Sequence, residues 1–189
     1  MRLANVTTRA NSIHGRAIRS ATHGWGNHTL ILFEFETGER EYYESFWRKD
    51  KTTGRTGVRR CAWTNLTEWE AERPTNELRV QWVEYSEQQV QRAYKFCCDS
   101  VGKIGYAHLQ LWHNLIRWYP QAGSRDINTC SEFGGRVHFA ADAMLAVRYI
   151  LRNGYRTLDM IPPSGRDGLM ESVSGITTEL AIRRGHAPA

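Results

Sequence analysis

The nine residues from His28 to Glu36, His-Thr-Leu-Ile-Leu-Phe-Glu-Phe-Glu, constrain this chain more than any others. They gather β-branched and aromatic side chains and are closed by Thr37-Gly38, the pattern of a strand entering a hairpin. The Tyr-rich stretch from Glu39 to Phe46 is the returning partner. Turn length then decides which face each side chain takes. If Glu36 to Gly38 make the turn, Phe35 pairs with Glu39, Leu30 faces Glu44, and Glu44 shares the face of His28. A two-residue turn shifts the register and moves Glu44 to the opposite face.

Around this hairpin the chain divides into strands early and helices late. Residues 1 to 27 read as polar and irregular, with isolated apolar points at Ile13, Ile18 and Trp25. A Gly-punctuated loop from Lys51 to Arg60 leads to a short strand around Val58, and Arg79 to Tyr85 alternates polar and apolar as a further strand. Ser86 opens a helix with an apolar stripe of Val90, Ala93, Tyr94 and Cys97, broken at Val101 to Gly105. A second helix is expected from Tyr106 to Tyr119, before Pro120. A third runs from Cys130 to about Asn153, burying Phe133, Val137, Ala140, Ala141, Met144, Leu145 and Val147, with Gly154 as its stop. This order predicts an α+β fold, an antiparallel sheet with helices packed on one side. At 189 residues one domain with a sizeable core is expected over residues 1–189, with a docking tail from about residue 172.

Composition narrows the function. Hydrophobic residues make up 41% and charged residues 24%, an ordinary globular balance. No run of ~18 apolar residues is present to span a membrane. The opening twenty residues, with Arg2, Arg9, Arg16 and Arg19, lack an apolar core, so no secretory signal is expected. The net charge of +5, from 25 Lys and Arg against 20 Asp and Glu, allows an anionic partner such as nucleic acid or an acidic cell-wall polymer. Without a nucleic-acid motif, nucleic acid is not the expected partner. Cys61, Cys97, Cys98 and Cys130 form no Cys-x-x-Cys and thus no zinc pattern. A reduced chain is expected, with Cys97 and Cys98 packing within their helix.

Chemistry is concentrated at Asn128 to Phe133, Asn-Thr-Cys-Ser-Glu-Phe. Thr129 and Glu132 have the spacing of a capping box, each side chain covering the other's backbone N–H. Cys130 then occupies the first helical position, where N–H groups lack intrahelical partners and the dipole favours an anion. A free thiol ionises near ~8.5, and a helix N-terminus lowers that value. A small buried residue that merely begins a helix would carry the same pattern. A nucleophilic Cys also needs a base, most often His. Of the seven histidines, His138 lies about two turns along the same helix, too far to be the direct partner. His108 and His113 fall in a Trp- and Leu-rich helix, and His186 in the tail. His28 opens a strand behind the turn-like Gly24 to Asn27, a position that equally suits a polar strand-edge residue.

Taken in order, Ile18, Arg19 and Thr22, the Asn27-His28 pair, Glu44, Gly57-Val58, a Gln-containing helix, Gly102 to Tyr106, Cys130-Ser131-Glu132 and Pro162 form a sequence of marks. The arrangement resembles the circularly permuted papain-like hydrolases, the permuted branch of the NlpC-type cell-wall peptidases that includes the YiiX-like proteins and the lecithin:retinol acyltransferase relatives. It covers roughly residues 12 to 170. Where that family commonly has Tyr-Asp after the glycine turn, this chain has Tyr106-Ala107.

The resemblance implies a papain-like core in permuted order, His strand before Cys helix. It implies Cys130 as nucleophile, His28 as general base and Glu44 as the polar residue orienting the imidazole, with no metal or organic cofactor. Thr129 and Asn128 are candidates for shaping the oxyanion site from their loop position. The implied activity is a cysteine amidase or peptidase, on bacterial cell-wall peptide in preference to a lipid ester or acyl group. A structural or binding protein of the same fold is the competing reading. Relatives of this kind are built into virions and phage tails, so other tail proteins are candidate partners. The expected location is the cytoplasm of the producing cell or the virion.

Overall fold

The first strand of the sheet lies where the sequence reads as irregular. In the computed structural model, which describes residues 1–22, 26–50, 53–61, 77–107, 127–144 and 177–179, β1 spans Arg2–Arg9. Asn5, Thr7 and Thr8 interrupt its apolar alternation and conceal it from a periodicity reading. Yet all three are buried, alongside Leu3, Ala4 and Val6. Antiparallel pairing on both sides satisfies its backbone. β2 (His28–Glu34) runs along one edge, with Thr8 opposite His28, and β5 (Glu77–Val83) along the other. The segment between β1 and β2 carries α1 (Ile13–Thr22).

β3 (Arg40–Phe46) pairs with β2 in the register of a three-residue turn, Leu30 opposite Glu44. The turn closes through Phe35 N–H to the Glu39 carbonyl and Gly38 N–H to the Phe35 carbonyl, both 2.9 Å. Gly38 sits at φ 84°, in the left-handed region that suits glycine. With β4 (Gly57–Arg60) and the short β8 (Thr177–Glu179), the sheet is six-stranded in the order β4-β3-β2-β1-β5-β8, every pairing antiparallel. β8 is the described part of the expected docking tail; the remainder, like the turn near Leu169, lies outside the described residues.

Two helices cover one face. α2 (Glu87–Ser100) begins at Ser86, whose capping box with Gln89 is complete. α3 (Cys130–Ala141) begins at Thr129, whose box with Glu132 is likewise complete. Val90, Ala93 and Cys97 of α2 and Phe133, Val137 and Ala141 of α3 pack onto Leu3, Ile31, Phe33, Tyr43, Val58 and Val83. The opposite face carries a second buried cluster, with Val6, Leu30, Leu32, Tyr42, Val80 and Trp82. The fold is thus α+β with an antiparallel sheet, as expected.

Three details differ. α3 ends at Ala141, because Asp142 turns extended (φ −151°, ψ 99°); residues 143–144 are helical again, and 145–153, the rest of the expected helix, lie outside the described residues. α2 holds that end, with Gln89 donating to Asp142 at 2.7 Å and Arg92 donating to the Ala141 carbonyl at 2.7 Å. Met144 is accordingly 61% exposed, while Leu145 and Val147 lie outside the described residues. Gly105–Tyr106 is not a helix start but the short strand β6, parallel to β7 (Ile127–Asn128); the expected helix beyond it falls outside the described residues. Finally, Cys97 is buried, but Cys98 is exposed; none of the four cysteines is in a disulfide.

One glycine sets the site's outer wall. At Gly57, φ is 119° and an added Cβ would stand 2.1 Å from the Ile104 carbonyl oxygen. The Val58 N–H donates to that same carbonyl at 2.9 Å. β4 and the 102–106 segment therefore touch backbone to backbone, which holds β6 beside β3.

Candidate active site

The end of β1 fixes the start of β2, and with it His28. Asn27 donates its N–H to the Thr8 carbonyl at 2.9 Å, and its Oδ1 accepts from the Ala10 N–H at 2.6 Å. At Gly26 a Cβ would lie 2.1 Å from Thr7 Cγ2, so the approach to His28 admits no side chain there. The imidazole that follows keeps 19% of its side-chain surface exposed.

Glu44 reaches it from the neighbouring strand. His28 Nε2 and Glu44 Oε2 are 2.6 Å apart, and Glu44 is 1% exposed. A carboxylate so buried requires compensation, and β4 supplies it: Arg59, opposite Glu44 in register, donates from Nε at 2.9 Å and Nη2 at 2.5 Å to Oε1. Phe46 completes the wall, edge-on to His28 at 5.8 Å between ring centroids. It also lies beneath the Arg59 guanidinium, 4.3 Å from the ring centre.

Cys130 comes from the helical layer. It is the first residue of α3, 6% exposed, and its side chain hydrogen-bonds His28. The charges settle accordingly. Burial pulls the His28 pKa down, but the Cys130 sulfur and the Glu44 carboxylate outweigh it and hold the imidazole at about 10. Burial pushes Glu44 up, yet its His28 hydrogen bond, the imidazolium charge and Arg59 bring it down to about 2. The arrangement is that of an imidazole between the Cys130 sulfur and the Glu44 carboxylate. Tyr106 adjoins both ends: burial, then the charges of Cys130 and Glu44, push its phenol well above the usual range.

The remaining expected residues take other places. Thr129 spends both polar groups on the cap, its Oγ1 accepting from Glu132 N–H at 3.3 Å and its N–H donating to Glu132 Oε2 at 3.4 Å. Glu132 in turn accepts from Arg136. Asn128 pairs its backbone with Tyr106; its side chain is outside what is described. His138 is buried against Tyr85, whose hydroxyl is 3.1 Å from Nδ1. His23, His108, His113 and His186 lie outside the described residues. Among the described residues no group of three or more His, Cys, Asp or Glu side chains is placed to hold a metal ion.

Arg59 and Phe46 are the members that sequence reasoning missed; Tyr106 is marked there only as the residue that follows the glycine turn. Arg59 reads as one more surface cation in a basic stretch; only the β3–β4 register would single it out.

No protein-family model and no curated protein matches the chain. Among solved structures it is similar to the crystal structure of metalloprotein yiiX from Escherichia coli O157:H7, with a TM-score of 0.60 and 20% sequence identity over 97% of each chain. The protein has a YiiX-like fold.

Proposed function

We propose that the protein is a cysteine hydrolase, an amidase or peptidase, working through Cys130, His28 and Glu44. The observation that carries this reading is the 2.6 Å bond between His28 Nε2 and Glu44 Oε2, made by an imidazole that also hydrogen-bonds the thiol at a helix N-terminus. With Nε2 committed to Glu44, Nδ1 serves the sulfur. In the resting pair the Cys130 proton already resides on His28, and the thiolate attacks the substrate carbonyl carbon. The Cys130 N–H, at the positive end of α3, is the donor we assign to the oxyanion. Collapse of the tetrahedral intermediate breaks the C–N bond, and the imidazolium protonates the leaving amine. Water, losing its proton to His28, then attacks the thioester; the C–S bond breaks, the acid is released, and the thiolate and imidazolium are restored. Thr129 enters this scheme as the residue that fixes the helix start.

The solved neighbour is described as a metalloprotein. The donors here do not suit a metal: Arg59 and His28 occupy the two Glu44 oxygens, so a cation at that carboxylate would displace the guanidinium. No step is routed through one.

For substrate we favour bacterial cell-wall peptide, because wall polymers are anionic and the chain carries a formal charge of +5; a tail-associated setting in a virion is consistent with that substrate. The protein is incubated with peptidoglycan fragments and, separately, with short-chain acyl esters and phospholipids. New amino termini released from the fragments, and abolished by Cys130→Ala, are the expected result. Cleavage of lipid alone overturns the peptide substrate, and turnover of neither overturns the enzymatic reading.

A further inference from the structure

Resting on the reading of Cys130 and His28 as nucleophile and base, we propose that Arg59 is a positioning residue of this site, holding the His28 imidazole from two directions at once. One path runs through Glu44. Two nitrogens of the guanidinium fall on Oε1, at 2.9 and 2.5 Å, which turns Oε2 to His28 at 2.6 Å. The carboxylate cannot rotate without breaking charge-assisted bonds at both of its oxygens. The other path runs through Phe46, whose ring touches both the guanidinium, 4.3 Å from its centre, and the imidazole, 5.8 Å between centroids.

Arg59 is itself anchored. Its Nη1 lies 3.4 Å from Asp50 Oδ2, and Asp50 is fixed by its own loop. It accepts from Thr53 N–H at 2.8 Å, while its backbone bonds the Arg55 carbonyl and the Gly54 N–H, each at 2.8 Å. A continuous line thus joins the β3–β4 loop to the imidazole. Lysine cannot take this place, because one ammonium supplies neither the planar fork nor the flat face.

The groups facing Glu44 are His28 from β2, Arg59 from β4 and Tyr106 from β6, with Cys130 of α3 on the far side of the imidazole. Only the guanidinium among them carries a charge that does not titrate in the ordinary pH range. Without it, a carboxylate with 1% exposure has His28 alone to keep it ionised. Glu44 then takes up a proton at higher pH, and the imidazolium loses its anionic partner.

Arg59→Met and Arg59→Lys, each alone and combined with Glu44→Gln, are compared by the rate of iodoacetamide alkylation at Cys130 across pH. Peptide mapping reads the site of labelling, and circular dichroism verifies the fold. The wild-type protein checks the underlying reading: at about pH 6 it labels Cys130 ahead of the other three thiols. Even labelling overturns that reading and this inference with it. Given selective labelling, Arg59→Met moves the acid limb of the profile up by about one pH unit or more, and Arg59→Lys moves it by less. In the Glu44→Gln background neither substitution adds more than about a 2-fold change to the limb, because its position follows charge, which reaches His28 through the carboxylate and not through the uncharged Phe46 ring. An unmoved limb in folded Arg59→Met, or the same displacement with and without Glu44, overturns the inference and leaves the Cys130–His28 reading intact. If Arg59→Met does not fold, Arg59→Lys decides, and a wild-type limb in that variant overturns the inference.

Discussion

Glu44→Gln should flatten the acid side of the protein's stability profile. The side chain is 1% exposed. Burial acts to raise its pKa, but the His28 hydrogen bond and charge, together with Arg59, bring it from the ordinary 4.5 to about 2. A carboxyl lowered in the folded state contributes stability that is complete above its unfolded value and lost as the pH falls through its folded value. The window for Glu44 therefore runs from 4.5 down to about 2. At ~1.4 kcal/mol per pH unit the full contribution is roughly 3 kcal/mol, of which about 2 kcal/mol is gone by about pH 3. With a urea m-value of ~2 kcal/mol/M, the unfolding midpoint falls by about 1 M between about pH 6 and 3 from this group alone. Glutamine preserves the shape and cannot titrate, so its profile lacks this component, whereas the other carboxylates titrate in both proteins and cancel. Urea unfolding followed by Trp fluorescence at about pH 6, 4.5 and 3 measures the difference. If wild type and variant lose stability in parallel, Glu44 is not held ionised by His28 and Arg59.

Other expectations follow from the same geometry. The imidazole of His28, held at about 10 by Cys130 and Glu44 against its burial, should stay protonated through neutrality in an NMR titration. The stability it contributes is complete below 6.5 and lost as the pH rises through about 10. Cys130→Ala should lower that midpoint; an unchanged midpoint would dissociate the thiol from the imidazole. Thr129→Ala removes the cap of α3 and should cost about 1 kcal/mol in thermal unfolding while slowing Cys130 alkylation; loss of stability with unaltered reactivity would separate the cap from the thiol. Gly57→Ala, at φ 119° with backbone 2.1 Å from the new Cβ, should cost roughly 3 kcal/mol. Gly38→Ala, at φ 84° with nothing within 4 Å, should cost only about 1 kcal/mol, and equal costs would refute the argument from close approach.

The legible parts of this protein were those written in local chemistry. Thr37-Gly38 announces its turn, and the register that follows from three residues places Glu44 opposite Leu30. The capping box at Thr129 is complete as its spacing suggests, and Ser86 caps the helix it is read to open. β1 was illegible because Asn5, Thr7 and Thr8 look like loop residues; only pairing on both sides makes them a strand. The end of α3 at Asp142 was hidden for a related reason. No Gly or Pro marks it, and its stop is held by Gln89 and Arg92 of another helix. In the site, Cys130 and His28 carried positional marks, a helix start and a strand start. Arg59 carried none, since its meaning arises from the carboxylate across the β3–β4 ladder.

The distance along the chain between His28 and Cys130 has a consequence for how the thiol comes to be reactive. At ~5–20 residues per second of synthesis, the cysteine leaves the ribosome roughly 5–20 s after the histidine. β2, β3 and β4 emerge in that interval and can pair locally, so the imidazole, its carboxylate and the guanidinium can be assembled before any sulfur arrives. The pairing of Cys130 with His28 is a non-local contact, formed only when α3 docks. An unfolded or truncated molecule carries ordinary thiols and no activated one. On the proposed reading, Cys130 gains its reactivity only when α3 docks, and loses it with the fold.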